Sequence, residues 1–153
     1  MFIECFNPLE LNGLNQNISI IYRNYKKKTD ESTIISLKNY CKLNKRELYL
    51  ALDIKLAIKH KLDGVYIPSF VKTKNFNFYP KPKNFLIIGS AHNKSEIINK
   101  IHQGCSSIFL APIFKVKKKK KFLGVNKFNY LTLNFKEKFI ALGGINQGNV
   151  KKL

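Results

Sequence analysis

Tryptophan is absent from this 153-residue chain, methionine occurs once, and only nine residues are acidic. Arginine is almost missing too: of 28 basic residues, all but Arg23 and Arg46 are lysine. Proteins that grip nucleic acid lean on arginine, whose planar fork matches phosphates and guanine edges. So few arginines therefore argue against nucleic-acid recognition as the main task. The three cysteines, Cys5, Cys41 and Cys105, form no C-x-x-C pair. That removes the usual zinc and redox motifs, and the spacing reads as small buried hydrophobes in a reducing compartment. No apolar run approaches the roughly 18 residues that a membrane helix requires. The opening "MFIECFNPLELNGL" has no basic start and carries two glutamates, unlike a secretory signal. A cytoplasmic protein is expected.

What is present suits a folded domain. Hydrophobic residues make up 44% of the chain, well above a disordered composition. The formal net charge of +19 has two readings. Lysine excess alongside many Asn and Ile is what an AT-rich genome writes on any tolerant surface. The same charge also suits an anionic partner.

Short apolar segments recur: "FIECF" (2–6), "ISIIY" (18–22), "ELYLAL" (47–52), "GVYIPS" (64–69), "FLIIGS" (85–90), "SIFLAP" (107–112) and "FIALGG" (139–144). Most are continuous rather than alternating, as in parallel strands buried on both faces. Helical patterns lie between them. "TDESTIISLKNYCKLN" opens on Thr29-Asp30-Glu31, a cap with first-turn acids, and Ile34, Leu37, Tyr40 and Cys41 make its stripe. "DIKLAIKHKLDG" starts at Asp53 and ends before Gly64. "NKSEIINKIHQG" has Asn93 or Ser95 as cap, Ile97, Ile98 and Ile101 as stripe, and Gly104 as stop. "GVNKFNYLTLNF" is a weaker helix. Residues 70–84, with Pro80 and Pro82, read as a loop without one.

Strand–helix alternation at this pace predicts right-handed parallel crossovers and a (β/α)₈ barrel. Seven βα units are visible, so residues 1–153 read as a single incomplete barrel domain with the eighth unit missing. An open doubly wound sheet is the alternative, but no G-x-G-x-x-G follows the first strand. In either architecture the working loops leave the carboxyl ends of strands. Gly143-Gly144 ends the seventh. Glycines there expose amide groups to a ligand, and a helix starting at Asn146 would add its positive end, making a phosphate cradle. A tight turn with positive φ is the plain alternative.

The stretches "GVYIPSF", "IIGSAHNKSEIINKIHQGCSSIFLAPIF", "LGVNKF" and "FIALGGINQGNV" resemble, in order and spacing, thiamine phosphate synthase and its TenI-like relatives. "IYRNY" and "LDIKLAIKHKLDG" fit the same pattern, so the resemblance spans roughly residues 18–152. It implies a TIM barrel that joins hydroxymethylpyrimidine diphosphate to a thiazole phosphate, using Mg²⁺ and releasing pyrophosphate. Partners would be phosphorylated small molecules, not a membrane. By position, Arg23 matches the arginine that contacts the diphosphate. Asp53 matches a metal-binding aspartate; the plain alternative is an N-cap. Ser90 matches a substrate-contacting serine, and Lys119, in "KVKKKKK", is nearest to a family lysine. Gly143 and Gly144 match the thiazole-phosphate cradle.

The chain also departs from the family. Ile21 and Tyr25 stand where it has glutamine and lysine, Leu52 replaces an asparagine, and a second aspartate is absent near Phe70-Val71. His92 reads as a structural hydrogen-bonder, Asp63 as a turn residue, and His60 and His102 as solvated. Gly64, Gly104 and Gly124 read as turn glycines, and Tyr66, in place of a histidine, as a packing residue. The leading expectation is a thiamine phosphate synthase-like enzyme. The alternatives are a TenI-like thiazole phosphate-binding or tautomerase protein, and a basic nucleic-acid-binding module.

Overall fold

The structure, a computed structural model, describes residues 1–25, 30–73, 75–117 and 121–153. The expected cap Thr29 and the candidate Lys119 lie outside the described residues. The chain forms two compact units, Met1–Tyr66 with Phe78–Leu86, and Ile67–Asn77 with Ile87–Leu153.

The first unit carries β1 (Phe2–Ile3), β2 (Ile20–Tyr22), β3 (Leu48–Ala51) and most of β4 (Gly64–Ile67). Each pairs with the next in parallel, with registers such as Phe2↔Ile21, Ile20↔Leu48 and Leu50↔Val65. Every residue of β2, β3 and β4 is buried, as continuous apolar runs predict. Three helices cross between the strands. α1 (Pro8–Asn12) has Pro8 in its first turn and Asn7 as cap, the Asn7 side chain accepting from the Leu9 N–H at 3.1 Å. It is too short to show a periodic stripe, which is why the sequence pattern hides it. α2 (Glu31–Leu43) is capped by Asp30 and buries Ile34, Leu37 and Cys41. Tyr40 instead covers α1, its hydroxyl 2.8 Å from Asn12 Oδ1 and its ring against Phe6. α3 (Ile54–Lys59) is capped by Asp53.

Arg46, one of the two arginines, is structural. It is 7% exposed, and its guanidinium donates to the carbonyls of Leu11, Leu14, Asn15 and Ile18 at 2.6–3.4 Å, tying down the α1–β2 connection. Asp63 fixes the turn into β4 as expected, accepting the Leu48 N–H at 2.7 Å. Gly64 is not a turn glycine: it opens β4, and a Cβ there would stand 2.1 Å from the Leu86 carbonyl oxygen. His60 is not solvated either. Its side chain is 13% exposed and its Nε2 lies 2.7 Å from Glu31, which also pairs with Lys59.

The second unit carries all but the first residue of β5 (Leu86–Ala91), with β6 (Ser107–Leu110) and β7 (Lys138–Ala141), again parallel, with Ser90↔Phe109 and Phe109↔Ile140 in register. α4 (Lys94–His102) follows β5 and α5 (Val125–Thr132) precedes β7. Asn93 caps α4 by accepting the Glu96 N–H at 2.9 Å, while Glu96 reaches back to the Asn93 amide and the His92 N–H. The buried stripe of α4 differs from the expected one: Ile97 and Lys100 are inside, and Ile98 is 38% exposed. The 70–84 stretch is not wholly irregular, since Asn75–Phe78 make a 3₁₀ turn that buries Phe76. The segment after Gly144 is not an α-helix. Turns lead to a 3₁₀ turn, Val150–Lys152, because Asn146 and Asn149 bond locally to the amides of Gly148 and Asn146. Cys41 and Cys105 are buried as expected, but Cys5 is exposed. No helix among the described residues is long and apolar enough to cross a membrane.

Candidate functional site

In the first unit, Arg23 leaves the carboxyl end of β2 and Asp53 follows β3. Arg23 is half-buried, its N–H donating to the Ile3 carbonyl at 2.8 Å. The guanidinium lies between two rings, 4.7 Å from the centre of Phe2 and 5.3 Å from that of Tyr25. Such stacking suits a weakly hydrated, delocalised cation. Tyr25 also shares a hydrogen bond with it, and burial chiefly holds the Tyr25 phenol above its usual range, with Tyr66 adding to the rise and Arg23 opposing it. The phenol therefore stays neutral near pH 7 and keeps a proton to donate. Arg23 Nε is enclosed and bonds to no acceptor among the described residues. An enclosed donor without an acceptor costs about 1–3 kcal/mol and calls for one. Tyr66 packs as expected, edge-on to Phe2 at 5.1 Å.

Asp53 acts as the cap of α3, its Oδ1 accepting the Leu56 N–H at 2.8 Å. It projects from a turn made by Leu52 at φ 73°. Among the described residues no three His, Cys, Asp or Glu side chains gather closely enough to hold a metal ion. One carboxylate, half used as a cap, is not a complete site for a hard cation. A cavity of about 480 Å³ in this unit is lined by Glu4, Cys5, Tyr22, Asn24, Asp30 and Thr33 among others. Two carboxylates there make it unsuited to an anion, and neither Arg23 nor Asp53 lines it.

In the second unit, Ser90, Gly143 and Gly144 lie at the same carboxyl edge of β5–β7. Ser90 sits two strands from Ile140, about 10 Å away at ordinary strand spacing, and is 7% exposed. The loops beyond are laced together through the main chain. Ala111 N–H donates to Ala91 O at 3.1 Å, Ile113 to Leu142 at 2.9 Å and Phe114 to Gly143 at 3.0 Å. His92 adds a short contact from Nδ1 to the Ala111 carbonyl, the structural role expected of it. Leu123 and Gly124 donate their N–H groups to the Pro112 and Ile113 carbonyls, each at 2.9 Å.

The glycine pair has a local reason. Gly143 and Gly144 have φ 92° and 75°, and a Cβ on Gly144 would stand 2.7 Å from the carbonyl oxygens of Phe114 and Lys115. Turn geometry and close approach thus both apply. The amides of Gly144 and Ile145 nonetheless donate to no group among the described residues. That leaves two N–H groups open at the rim, without the helix end that the sequence suggested.

Parallel strands alternating with helices, with the candidate residues at the carboxyl ends of the strands in each unit, are the βα units of a TIM-like barrel. The chain belongs to the thiamine monophosphate synthase family, whose model matches residues 14–153. It is similar to the thiamine-phosphate synthase of Prochlorococcus marinus strain AS9601, at 31% identity over 147 residues, 89% of this chain and 40% of the relative. It is also similar to the synthase of P. marinus subsp. pastoris, at 30% identity over 99% of this chain and 43% of the relative. The chain thus spans less than half the length of these curated relatives. A solved structure, thiamine phosphate pyrophosphorylase from Pyrococcus furiosus, shares the fold with a TM-score of 0.68, at 18% identity over 86% of this chain and 64% of that one.

The sequence signals missed Lys100 and Gln103, which are fully buried beside the loop after β4. Lysine in a helix reads as a solvated charge, so only the neighbouring Gly89 hints at the room its stem needs.

Proposed function

We propose that this chain acts in thiamine biosynthesis as a thiamine phosphate synthase-like transferase. It would join hydroxymethylpyrimidine diphosphate to a thiazole phosphate, in a barrel whose closure needs an eighth βα unit. The observation that carries this reading is the family match from residue 14 to residue 153, which takes in the segments after β2 to β7. In the reaction the C–O bond to the diphosphate breaks, pyrophosphate leaves with the electron pair, and the thiazole nitrogen bonds to the resulting carbocation. Such chemistry needs placement and charge rather than a nucleophile on the protein. Arg23 supplies a permanent, delocalised positive charge, and its unpartnered Nε favours an incoming phosphoryl oxygen. Ser90 offers a hydroxyl to the substrate. The open amides of Gly144 and Ile145 would hold the thiazole phosphate, and Lys119 would add charge from the lysine run of the sequence. Mg²⁺ would accompany the diphosphate, Asp53 contributing one oxygen at most. A cytoplasmic setting fits these soluble phosphorylated substrates.

The test is pyrophosphate release with both substrates and Mg²⁺. Arg23→Ala should lower kcat/KM by roughly 100-fold, as loss of a charged transition-state contact does. Equal turnover by the variant would remove Arg23 from the reaction. A second reading, a TenI-like protein that binds thiazole phosphate without condensing it, is favoured by the capping role of Asp53. Isothermal titration separates the two. Heat from the thiazole phosphate alone supports the second reading, and metal-dependent heat from the diphosphate supports the first.

A further inference from the structure

Lys100 and Gln103 are both 0% exposed, yet no carboxylate pairs with the lysine among the described residues. Its Nζ donates to the Pro68 carbonyl at 2.6 Å, the Val71 carbonyl at 3.0 Å and Gln103 Oε1 at 2.8 Å. Gln103 Nε2 donates in turn to the carbonyls of Val71 at 2.9 Å and Thr73 at 2.7 Å. An ammonium group has three donors, and three acceptors surround this one. The stem passes over Gly89, where a Cβ would stand 2.8 Å from Lys100 Cδ. Burying an ammonium without a counter-ion is costly, and a lysine free to reach solvent avoids that cost. What the burial achieves is visible in the loop. Residues 68–73 make one backbone hydrogen bond among themselves, Val71 N–H to Pro68 O at 3.2 Å, whereas Lys100 and Gln103 together hold three of their carbonyls.

We propose that Lys100, with Gln103 as a second arm, is a positioning residue that holds the loop leaving the carboxyl end of β4 in a single shape at the substrate-binding rim. The mention of substrate rests on the function proposed above; the holding of the loop does not.

The titratable neighbours of Lys100 are Glu96 and Cys105, whose thiol burial pushes up to about 12. Burial lowers the lysine to about 8, Cys105 and Glu96 partly opposing it. An open loop would return the amine to its ordinary value near 10.5. The closed loop thus binds the proton less tightly than the open one. Raising the pH above about 8 therefore makes opening harder.

Hydrogen exchange of the full chain, corrected for intrinsic rates and followed from neutral pH upward, tests this. In the native protein, protection of the amides at 69–73 should grow by up to about tenfold per pH unit above the lysine's titration point. Lys100→Met should speed exchange there by about tenfold at neutral pH and abolish the pH slope, leaving β5 and β6 unchanged. Gln103→Met should speed it while keeping the slope, and carries the test alone if the lysine variant fails to fold. Loop exchange unaltered in both variants, or acceleration spread equally over β5 and β6, overturns the proposal. In a turnover assay Gln103→Met should raise KM for the pyrimidine diphosphate several-fold. No turnover by the native chain would sink the functional reading and leave the exchange result to judge the loop.

Discussion

Leu52 occupies a backbone region that leucine enters at a cost of about 1–2 kcal/mol, with φ 73° and a side chain 39% exposed. The family resemblance puts asparagine there, and asparagine tolerates that region because its short amide bonds locally. Leu52→Gly is therefore expected to raise unfolding stability by about 1 kcal/mol in urea titration, and Leu52→Asn by somewhat less. Gly144 shows the opposite case. Its φ of 75° and the carbonyls of Phe114 and Lys115 leave no room for a methyl group. Gly144→Ala should cost about 2–3 kcal/mol, read as a lower urea midpoint with an unchanged m-value.

At the scale of elements, Glu31 joins two helices. It begins α2 and meets Lys59 and His60 at the end of α3, each at 2.7 Å. Lys59 first, and His60 second, hold its carboxyl below the usual glutamate range. A carboxylate depressed in the folded state contributes stability above its unfolded pKa, and that contribution fades as pH falls through the folded value. The melting temperature of Glu31→Gln should thus lie slightly below native at neutral pH and converge with it in acid, below roughly pH 4. Elements were also where the sequence was most legible. The seven apolar runs became the seven strands seen among the described residues, and Asp30, Asp53 and Asn93 cap the helices that their positions announce. Three features escaped. α1 is five residues long and has no period to read. The turn after Gly144 looked helical because Asn caps helices and closes local turns alike. The stripe of α4 was placed one position off because hydropathy alone puts Ile101 inside and Lys100 outside. Of the candidate site, residue types and strand-end positions were legible. The Phe2 ring beside Arg23 and the carbonyls around Lys100 come from distant parts of the chain, and no local pattern encodes them.

For the molecule as a whole, +19 is a stability term before it is a binding signal. Like charges repel in the compact state more than in the unfolded chain. Raising ionic strength from about 0.01 M to about 0.15 M shortens the screening length from roughly 30 Å to roughly 8 Å. The melting temperature should rise over that range by a few degrees, ~3 °C, measured in a non-binding salt such as sodium chloride. Phosphate should add to this only if the open rim amides take it up. That rim has one more implication. The ties among the segments following β5, β6 and β7 run from peptide to peptide, so most side chains along them are free to drift without disturbing the frame. A lineage can thus replace side chains along these segments while the peptide lattice that would receive the phosphate outlasts each revision.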